Sequence, residues 1–185
     1  MRDTKEKLTL TTVVLHWVVA FGMISLIILG IYMTENHAYT LYPIHKSFGV
    51  ILLFIVLFRT VWRFVNKLPK PVRQYTSLEL LLSKIVHYSL IIGTLLIPIS
   101  GIAMSTFSGH GVQLFNFVLI ESNINPTEPG KVIALNTFLA ETASFIHVIS
   151  NYIVMFCISL HILAALKHHF YDGDTVLKRM LGQRI

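Results

Sequence analysis

One stretch decides the fold of this chain: TASFIHVISNYIVMFCISLHILAALK, which runs from Thr142 to Lys167. Between its two histidines, His147 and His161, it contains no charged side chain. A helix that spans the hydrocarbon core of a bilayer needs about 20 consecutive and mostly apolar residues. The stretch is therefore long enough and apolar enough to cross a membrane.

Three further stretches have the same character, and they cover residues 11–34, 45–65 and 84–106. Of the 185 residues, 54% are hydrophobic and 13% are charged, whereas a soluble domain has about 25% charged residues. Lipid cannot hydrogen-bond to a bare peptide group, so each span is expected to be helical. The sequence therefore predicts an all-α integral membrane protein, a single domain over residues 1–185 with a bundle of four transmembrane helices, the last over residues 142–167.

The basic residues are distributed unevenly among the connections between these spans. If both termini and the second connection face the cytoplasm, that side carries most of the 15 basic residues: Arg2, Lys5, Lys7, Arg59, Arg63, Lys67, Lys70, Arg73, Lys84, Lys167, Lys178, Arg179 and Arg184. The opposite side keeps Lys46 and Lys131. Cytoplasmic connections of membrane proteins carry an excess of Lys and Arg. The pattern predicts cytoplasmic termini, and it explains the net charge of +6 without a nucleic-acid partner.

The two histidines of the last span lie on one face of its helix. They are fourteen residues apart, which is about 21 Å along the axis at about 1.5 Å per residue. Fourteen steps of about 100° make nearly four turns, so both rings leave the helix in the same direction. Ionisable groups inside membrane spans are costly and usually functional. We therefore expect each histidine to meet a partner at its own depth.

The topology supplies one partner at each depth. The first span starts at the cytoplasmic side, which puts His16 at the level of His161. The second span starts at the outer side, which puts His45 at the level of His147. Two transverse pairs suit two haems stacked across the bilayer, because a haem iron accepts two axial imidazoles and then favours electron transfer. The sequence thus predicts two haem b groups, with iron ligands in the pairs His16/His161 and His45/His147.

Other interpretations of the histidines stay open at this point. A single histidine near the end of a span is commonly an interfacial or hydrogen-bonded polar residue. Zinc or copper would favour four ligands, or cysteine and methionine nearby, and the two pairs lie too far apart to share one ion. A haem-free histidine relay for protons is a third interpretation, and such a protein would show no haem absorption.

The choice of ligands at the cytoplasmic level also stays open, because of His87. This residue lies about one turn into the third span, at the cytoplasmic level. It could replace His16 as a ligand, contact a haem propionate, line a quinone site or make an ordinary polar contact. The basic residues Arg59, Arg63 and Lys46, at the two membrane faces, are candidate partners for negatively charged propionates.

Several short motifs occur in a fixed order along the chain. They are Leu15-His16-Trp17, Ile44-His45-Lys46-Ser-Phe-Gly49, the segment from Arg59 to Arg63, His87 with Pro98-Ile-Ser-Gly101, Phe145-Ile-His147, Leu160-His161-Ile-Leu-Ala-Ala-Leu-Lys-His-His-Phe170 and Asp172-Gly-Asp-Thr-Val-Leu-Lys-Arg-Met180. In this order and spacing they resemble the bacterial cytochrome b561 family over nearly the whole chain. The resemblance is to its small, stand-alone di-haem members, which act as superoxide:ubiquinone oxidoreductases.

The resemblance implies a multi-pass protein of the bacterial inner membrane, with haem ligands at His16, His45, His147 and His161. It also implies electron transfer to ubiquinone, with superoxide as the donor at the outer face, which leaves as dioxygen. The alternative function is a membrane anchor and electron conduit that serves a periplasmic redox protein. Near the cytoplasmic side, His87 and Lys84 are candidate contacts of the quinone.

The charges of the outer loops bear on the choice of donor. An anionic donor is captured faster by a positive surface. The outer loops hold two lysines against four carboxylates, namely Lys46 and Lys131 against Glu35, Glu121, Glu128 and Glu141. The overall field of these loops therefore does not attract superoxide, and Lys46 offers only a local positive charge.

Overall fold

The computed structural model describes residues 3–4, 6–66 and 74–185. Four long helices make up most of this part of the chain: α1 (Leu10–Glu35), α2 (Tyr42–Asn66), α3 (Ser77–Phe107) and α4 (Thr137–Leu166). All four are long and apolar enough to span a membrane. The prediction of a four-helix membrane bundle is therefore confirmed.

Shorter elements connect and extend these helices. They are a 3₁₀ turn (Tyr39–Leu41) before α2, the strands β1 (Val112–Leu114) and β2 (Phe117–Ile120), a π-helical turn (Lys167–Tyr171) that continues α4, and a short helix α5 (Val176–Met180). The two strands form an antiparallel hairpin between α3 and α4. The sequence predicted helices alone, so this hairpin is an addition to the expected fold.

The third and fourth helices begin earlier than the predicted starts at residues 84 and 142. Before α3, the Thr76 hydroxyl accepts a hydrogen bond from Glu79 N at 3.2 Å, and the Glu79 carboxylate accepts one from Thr76 N at 3.0 Å. This reciprocal capping box fixes the start of the helix. Before α4, the Asn136 side chain accepts a hydrogen bond from Leu139 N at 3.0 Å. Hydropathy detects only the apolar part of a helix, so it missed these polar first turns.

The helices do not pack evenly around the bundle. Helix α4 packs mainly on α3, α1 packs on α2, and α2 also contacts α3. Helix α4 has few close approaches to α1 or α2, although these two helices carry the proposed partners of its histidines. The side of α4 that faces α1 and α2 is therefore separated from them along most of its length.

A layer of apolar side chains crosses the middle of the bundle, and we call it the central layer. Its buried members come from all four long helices and are Val19, Met23, Ile27, Leu52, Val56, Ile97 and Val154. Val154 is completely buried, and it lies midway along α4 between His147 and His161. The central layer therefore separates the two histidines of α4.

Large apolar side chains on the outward faces of the helices are exposed. Examples are Phe21 of α1, Phe54 of α2, and Phe145 and Phe156 of α4, each about two-thirds exposed. Contiguous exposed apolar surface of this extent is uncommon in soluble monomers. In a membrane these faces contact lipid, which agrees with the length and composition of the helices.

Both chain termini lie at one end of the bundle, which we call the terminal end. Ile185 N donates a hydrogen bond to Glu6 O at 3.0 Å, and the Trp17 indole donates to Met180 O at 2.9 Å. The opposite end, with the hairpin, is the loop end. The cytoplasmic location of the terminal end stays a prediction, and five of the basic residues behind it lie outside the described residues: Arg2, Lys5, Lys67, Lys70 and Arg73.

The segment after α4 is held to the start of α3 through buried polar groups. The Tyr75 hydroxyl donates to Asp174 Oδ2 at 2.8 Å. Burial lowers the pKa of the Arg179 guanidinium, and the nearby Tyr75, Asp3 and Asp174 oppose that shift. The C-terminal segment is thus part of the folded terminal end.

Asp3 joins the N-terminal segment to α1 and α2. Its carboxylate is almost completely buried. It accepts hydrogen bonds from Thr9 N and from the Thr9 hydroxyl at 2.8 Å, and from the Thr12 hydroxyl at 2.8 Å. It also forms an ion pair with Arg63 at 3.4 Å. One carboxylate therefore satisfies groups on three parts of the chain.

We expect Asp3→Ala to lower the free energy of unfolding by about 2–3 kcal/mol, because it leaves buried donors and a partly buried guanidinium without an acceptor. Thermal unfolding in detergent, followed by circular dichroism, measures the change. The matched control is Glu128→Ala, which breaks the exposed ion pair with Lys131 and should change stability by less than about 1 kcal/mol. Equal shifts in the two variants would contradict this role of Asp3.

Candidate functional site

Helix α4 presents its two histidines towards different helices at the two ends of the bundle. His161 lies at the terminal end, where its ring is near those of His16 and His87. His147 lies at the loop end, as does His45 near the start of α2. The structure thus brings together the rings of His16 and His161, and it places His45 and His147 at the same end of the bundle.

The spacing at the terminal end suits two ligands of one iron. The ring centroids of His16 and His161 are 6.1 Å apart. Metal–imidazole bonds are about 2 Å long, so two axial imidazoles on one iron have centroids roughly 6 Å apart. The centroids of His87 and His161 are 5.2 Å apart in an edge-to-face contact. His16 therefore matches the spacing better than His87 does.

Arg59 fixes the tautomer of His16 in this structure. The Arg59 guanidinium lies 3.1 Å from His16 Nδ1. A guanidinium has donors only, so Nδ1 must accept the hydrogen bond. The ring proton of a neutral His16 is then on Nε2. For Nε2 to bind iron, His16 must exchange this tautomer for the other and give up the bond from Arg59.

The tautomer of His87 is the opposite of that of His16. Its Nδ1 lies 2.6 Å from Ser83 O, one turn earlier on α3. A carbonyl can only accept, so Nδ1 carries the proton and Nε2 keeps its lone pair. His87 therefore presents an acceptor beside His161, whereas its donor is used within its own helix.

At the loop end, His147 has the arrangement that ligand histidines usually show. Its Nδ1 donates to Ile97 O at 2.8 Å, which leaves the lone pair on Nε2 for a metal. Gly101 provides the room for this ring, because a Cβ at that position would lie 3.0 Å from His147 Cε1. The carbonyl and the glycine of α3 together set the orientation of His147.

His45 is placed by a glycine of α1. A Cβ at Gly30 would lie 3.3 Å from His45 Cε1. The Nδ1 atom of His45 is buried and has no hydrogen-bond partner within the described part of the chain. Buried polar atoms of this kind are rare and call for an explanation. A group bound at Nδ1 itself would provide one.

Each basic residue proposed as a propionate partner contacts a protein group. Arg59 contacts His16, Arg63 pairs with Asp3 at 3.4 Å, and Lys46 Nζ donates to Gly111 O at 3.3 Å. Lys46 has two further N–H donors, and the two arginines have more. All three therefore retain hydrogen-bonding capacity towards an anionic group.

Sequence reasoning did not identify the groups that orient the rings. Gly30, Ser83 and the carbonyl of Ile97 received no role, although a glycine inside an apolar helix is itself a signal of close approach. The donor set around both ends consists of imidazoles with guanidinium and ammonium groups nearby. This chemistry fits haem, which takes two axial imidazoles and carries anionic propionates.

Comparison with known proteins supports this interpretation. The family model described as prokaryotic cytochrome b561 matches residues 7–183. Cytochrome b561 homolog 2 of Escherichia coli K12 is 27% identical to this chain over 98% of the chain and 94% of its own length. The probable superoxide oxidase CybB of Yersinia pestis is 25% identical over 92% and 93% of the two chains, and cytochrome b561 homolog 1 of Escherichia coli K12 is 25% identical over 94% and 96%.

The family match therefore covers nearly the whole chain, and the relatives are matched over nearly their whole length. The described helices supply the four spans that such a membrane cytochrome requires. The family resemblance found in the sequence is therefore confirmed. This chain belongs to the prokaryotic cytochrome b561 family, as a bacterial multi-pass membrane protein of haem-dependent electron transfer.

Proposed function

We propose that the protein holds two haem b groups, one at each end of the bundle. His16 and His161 would be the ligands at the terminal end, and His45 and His147 those at the loop end. One observation carries this proposal: His161 lies beside His16 at the terminal end, His147 and His45 both lie at the loop end, and the central layer lies between the two pairs. When bound, haem supplies reversible one-electron redox chemistry.

The residues of the chain would orient the ligand rings and exclude water. The Ile97 carbonyl keeps the proton of His147 on Nδ1, and Gly101 and Gly30 leave room for the rings at the loop end. The central layer contributes only apolar side chains, with Val154 completely buried. The two ends are therefore separated from each other by a layer of buried apolar side chains.

Arg59 would take a different partner when haem is bound. His16 needs its proton on Nδ1 if Nε2 binds iron, and Arg59 cannot accept a hydrogen bond from that proton. The guanidinium would then be available for a carboxylate of a propionate, where it forms a strong charge-assisted pair. Arg63 is the weaker candidate, because it already pairs with Asp3.

For the reaction, we propose that superoxide is the donor and ubiquinone the acceptor. Each superoxide anion loses one electron and leaves as dioxygen. Two such electrons and two protons convert ubiquinone into ubiquinol. One relative carries the name probable superoxide oxidase, which supports this choice of donor. At the terminal end, His87 and Lys84 are the proposed contacts of the quinone in the inner membrane.

A second candidate function is favoured by the charge of the loop end. Glu35, Glu121, Glu128 and Glu141 are all exposed there, and Lys131 is already paired with Glu128. An acidic surface attracts a basic partner protein and repels an anion. In this alternative the protein is a membrane anchor and electron conduit for a basic periplasmic redox protein.

One assay separates the two functions. The purified protein in detergent is mixed with a short-chain ubiquinone and an enzymatic source of superoxide, and loss of quinone absorbance is followed. A stand-alone enzyme reduces quinone faster than the protein-free control and faster than the double variant His147→Ala/His161→Ala. A rate equal to both controls would overturn the superoxide function and favour the conduit.

We expect Gly101→Ala to lower the haem content at the loop end. A Cβ there would lie 3.0 Å from Cε1 and 3.2 Å from Nδ1 of His147, so the ring must move and its bond to Ile97 O is lost or weakened. Losing an outer-shell partner typically reduces metal affinity about 10–100-fold. Titration of the haem-free variant with haem, followed by absorbance, measures this change.

The control for Gly101→Ala is Gly49→Ala in α2. No atom lies within 4 Å of a Cβ at Gly49 among the described residues. This variant should keep the haem affinity of the wild type, and its helix should gain up to about 1 kcal/mol. The same loss of affinity in both variants would show that a helical methyl group alone, and not the position of His147, disturbs haem binding.

A further inference from the structure

The hairpin at the loop end has an unusual surface for an element outside a membrane helix. The segment from Val112 to Ile120 contains no charged residue. In strand β2 the exposed fractions are 76% for Phe117, 48% for Val118 and 51% for Leu119. Surface strands in water usually carry charged residues or a bulge that prevents association. The composition of this hairpin therefore indicates an apolar environment.

Hydrogen bonds attach the hairpin to the side of α2, near the start of that helix. Lys46 Nζ donates to Gly111 O at 3.3 Å, and the Ser47 hydroxyl accepts from Phe115 N at 2.8 Å. Lys46 and Ser47 lie in the second turn of α2, about 6–8 Å along its axis from Tyr42. The turn of the hairpin thus lies at the depth of the first part of this membrane helix.

The turn also contacts the surface of α2 that faces lipid. The rings of Phe115 and Phe48 meet edge to face, with centroids 5.6 Å apart. Phe48 is about half exposed, and it lines an apolar lateral groove of about 400 Å³ between α1 and α2, together with Val18, Gly22, Ile44 and Ile51. The apolar surface of the hairpin is therefore continuous with the lipid-facing surface of the bundle.

The backbone of Phe115, in the turn of the hairpin, is strained. Phe115 has a φ of +52°, a conformation that is unfavourable for a bulky side chain. Phe115 and Asn116 form the two-residue turn between the paired residues Leu114 and Phe117, where Asn and Gly are the usual choices. A large ring is thus held in an unfavourable backbone conformation, and such strain points to a functional constraint on the ring.

We propose that this hairpin is a lipid-binding anchor, inserted at the membrane–water interface of the loop end with Phe115, Phe117 and Leu119 in contact with lipid. Aromatic side chains are enriched at this interface. Side chains of Phe117 and Leu119 leave the same face of β2 because successive residues of a strand alternate. The anchor holds Gly111 and the turn beside Lys46 and Ser47, next to the proposed ligand His45.

The test places a nitroxide spin label on the hairpin of the full chain with its haem, in vesicles of phosphatidylethanolamine and phosphatidylglycerol. Phe117→Cys is made with Cys157→Ser, which removes the single native thiol. Leu119→Cys provides a second site on the same strand face, and Glu121→Cys, just beyond the strand, is the aqueous control. Collision with oxygen, which concentrates in lipid, is compared with collision with a water-soluble nickel chelate.

We expect the labels at residues 117 and 119 to collide several-fold more with oxygen relative to the nickel chelate than the label at residue 121 does. Equal ratios at all three sites would overturn the proposal and show a hairpin exposed to water, available to a partner protein. Low collision with both reagents at 117 and 119 would also overturn it, since that result means contact with protein, such as a second copy of the chain.

Discussion

His147→Ala and His161→Ala will each lose about half of the haem that the purified protein carries. Each substitution removes one imidazole from a proposed pair, and a haem held between two imidazoles would then lose half of its protein ligands. His147→Ala is expected to lose the haem at the loop end, and His161→Ala the one at the terminal end. The double variant should carry none. Pyridine haemochrome analysis against protein concentration measures the ratio.

His110→Ala is the matched control, since His110 lies exposed in the connection after α3 and contacts Ser108 at 3.0 Å. This variant should keep the haem content of the wild type. His161→Gly adds a test of coordination, because free imidazole can occupy the space of the lost ring and restore the absorption spectrum. Full haem content in both alanine variants would show that α4 does not supply the ligands.

Gly93→Ala will lower the free energy of unfolding by about 2 kcal/mol, which is the usual cost of overpacking a core. A Cβ at Gly93 would overlap the Val154 side chain, at the point where α3 and α4 meet in the central layer. Val154 is completely buried, and its β-branched side chain is stiff, so it cannot easily rotate away from the new methyl group. Thermal unfolding in detergent, followed by circular dichroism, measures the change.

The double variant Gly93→Ala/Val154→Ala separates this clash from other effects. Shortening Val154 removes the atoms that the new methyl group would meet, so the two changes should be non-additive by about 1 kcal/mol or more. Gly49→Ala, with open space around the new methyl group, should not destabilise the protein. If Gly93→Ala behaves like Gly49→Ala, the close packing of α3 on α4 is not as the structure describes it.

The number and nature of the membrane spans could be predicted from the sequence. Apolar stretches of about 20 residues leave few alternatives to a helix in lipid, and the four spans and the family are confirmed. The helix starts were less accurate, because α3 begins at Ser77 through its Thr76 cap and α4 at Thr137 through its Asn136 cap. Caps are polar, so hydropathy does not detect them.

The meeting of His16 with His161 could be predicted as well, because the helical rise and the topology together determine the depth of each residue. The structure brings His16 to within 6.1 Å of His161, between ring centroids. The groups that orient the rings could not be predicted. The bonds from His147 to Ile97 O and from Arg59 to His16 depend on how each helix is rotated about its axis, and the sequence pattern does not fix that rotation.

The hairpin shows a different limit of sequence reasoning. The segment from Val112 to Ile120 is apolar but too short to span a bilayer. Its pattern of apolar and polar residues is compatible with several structures. Its position depends on long-range bonds to Lys46 and Ser47 of α2. Such contacts follow from the packing of the bundle and have no local signal in the sequence.

The central claim is that one chain holds two haem b groups between the paired histidines, and the ratio of haem to protein tests it most directly. The protein is expressed with an ample supply of haem, purified, and measured together with a dithionite-reduced minus oxidised spectrum. We predict two b-type haems per chain. One haem per chain would contradict one of the pairs, with His87 the first alternative ligand to examine, and no haem would contradict the account as a whole.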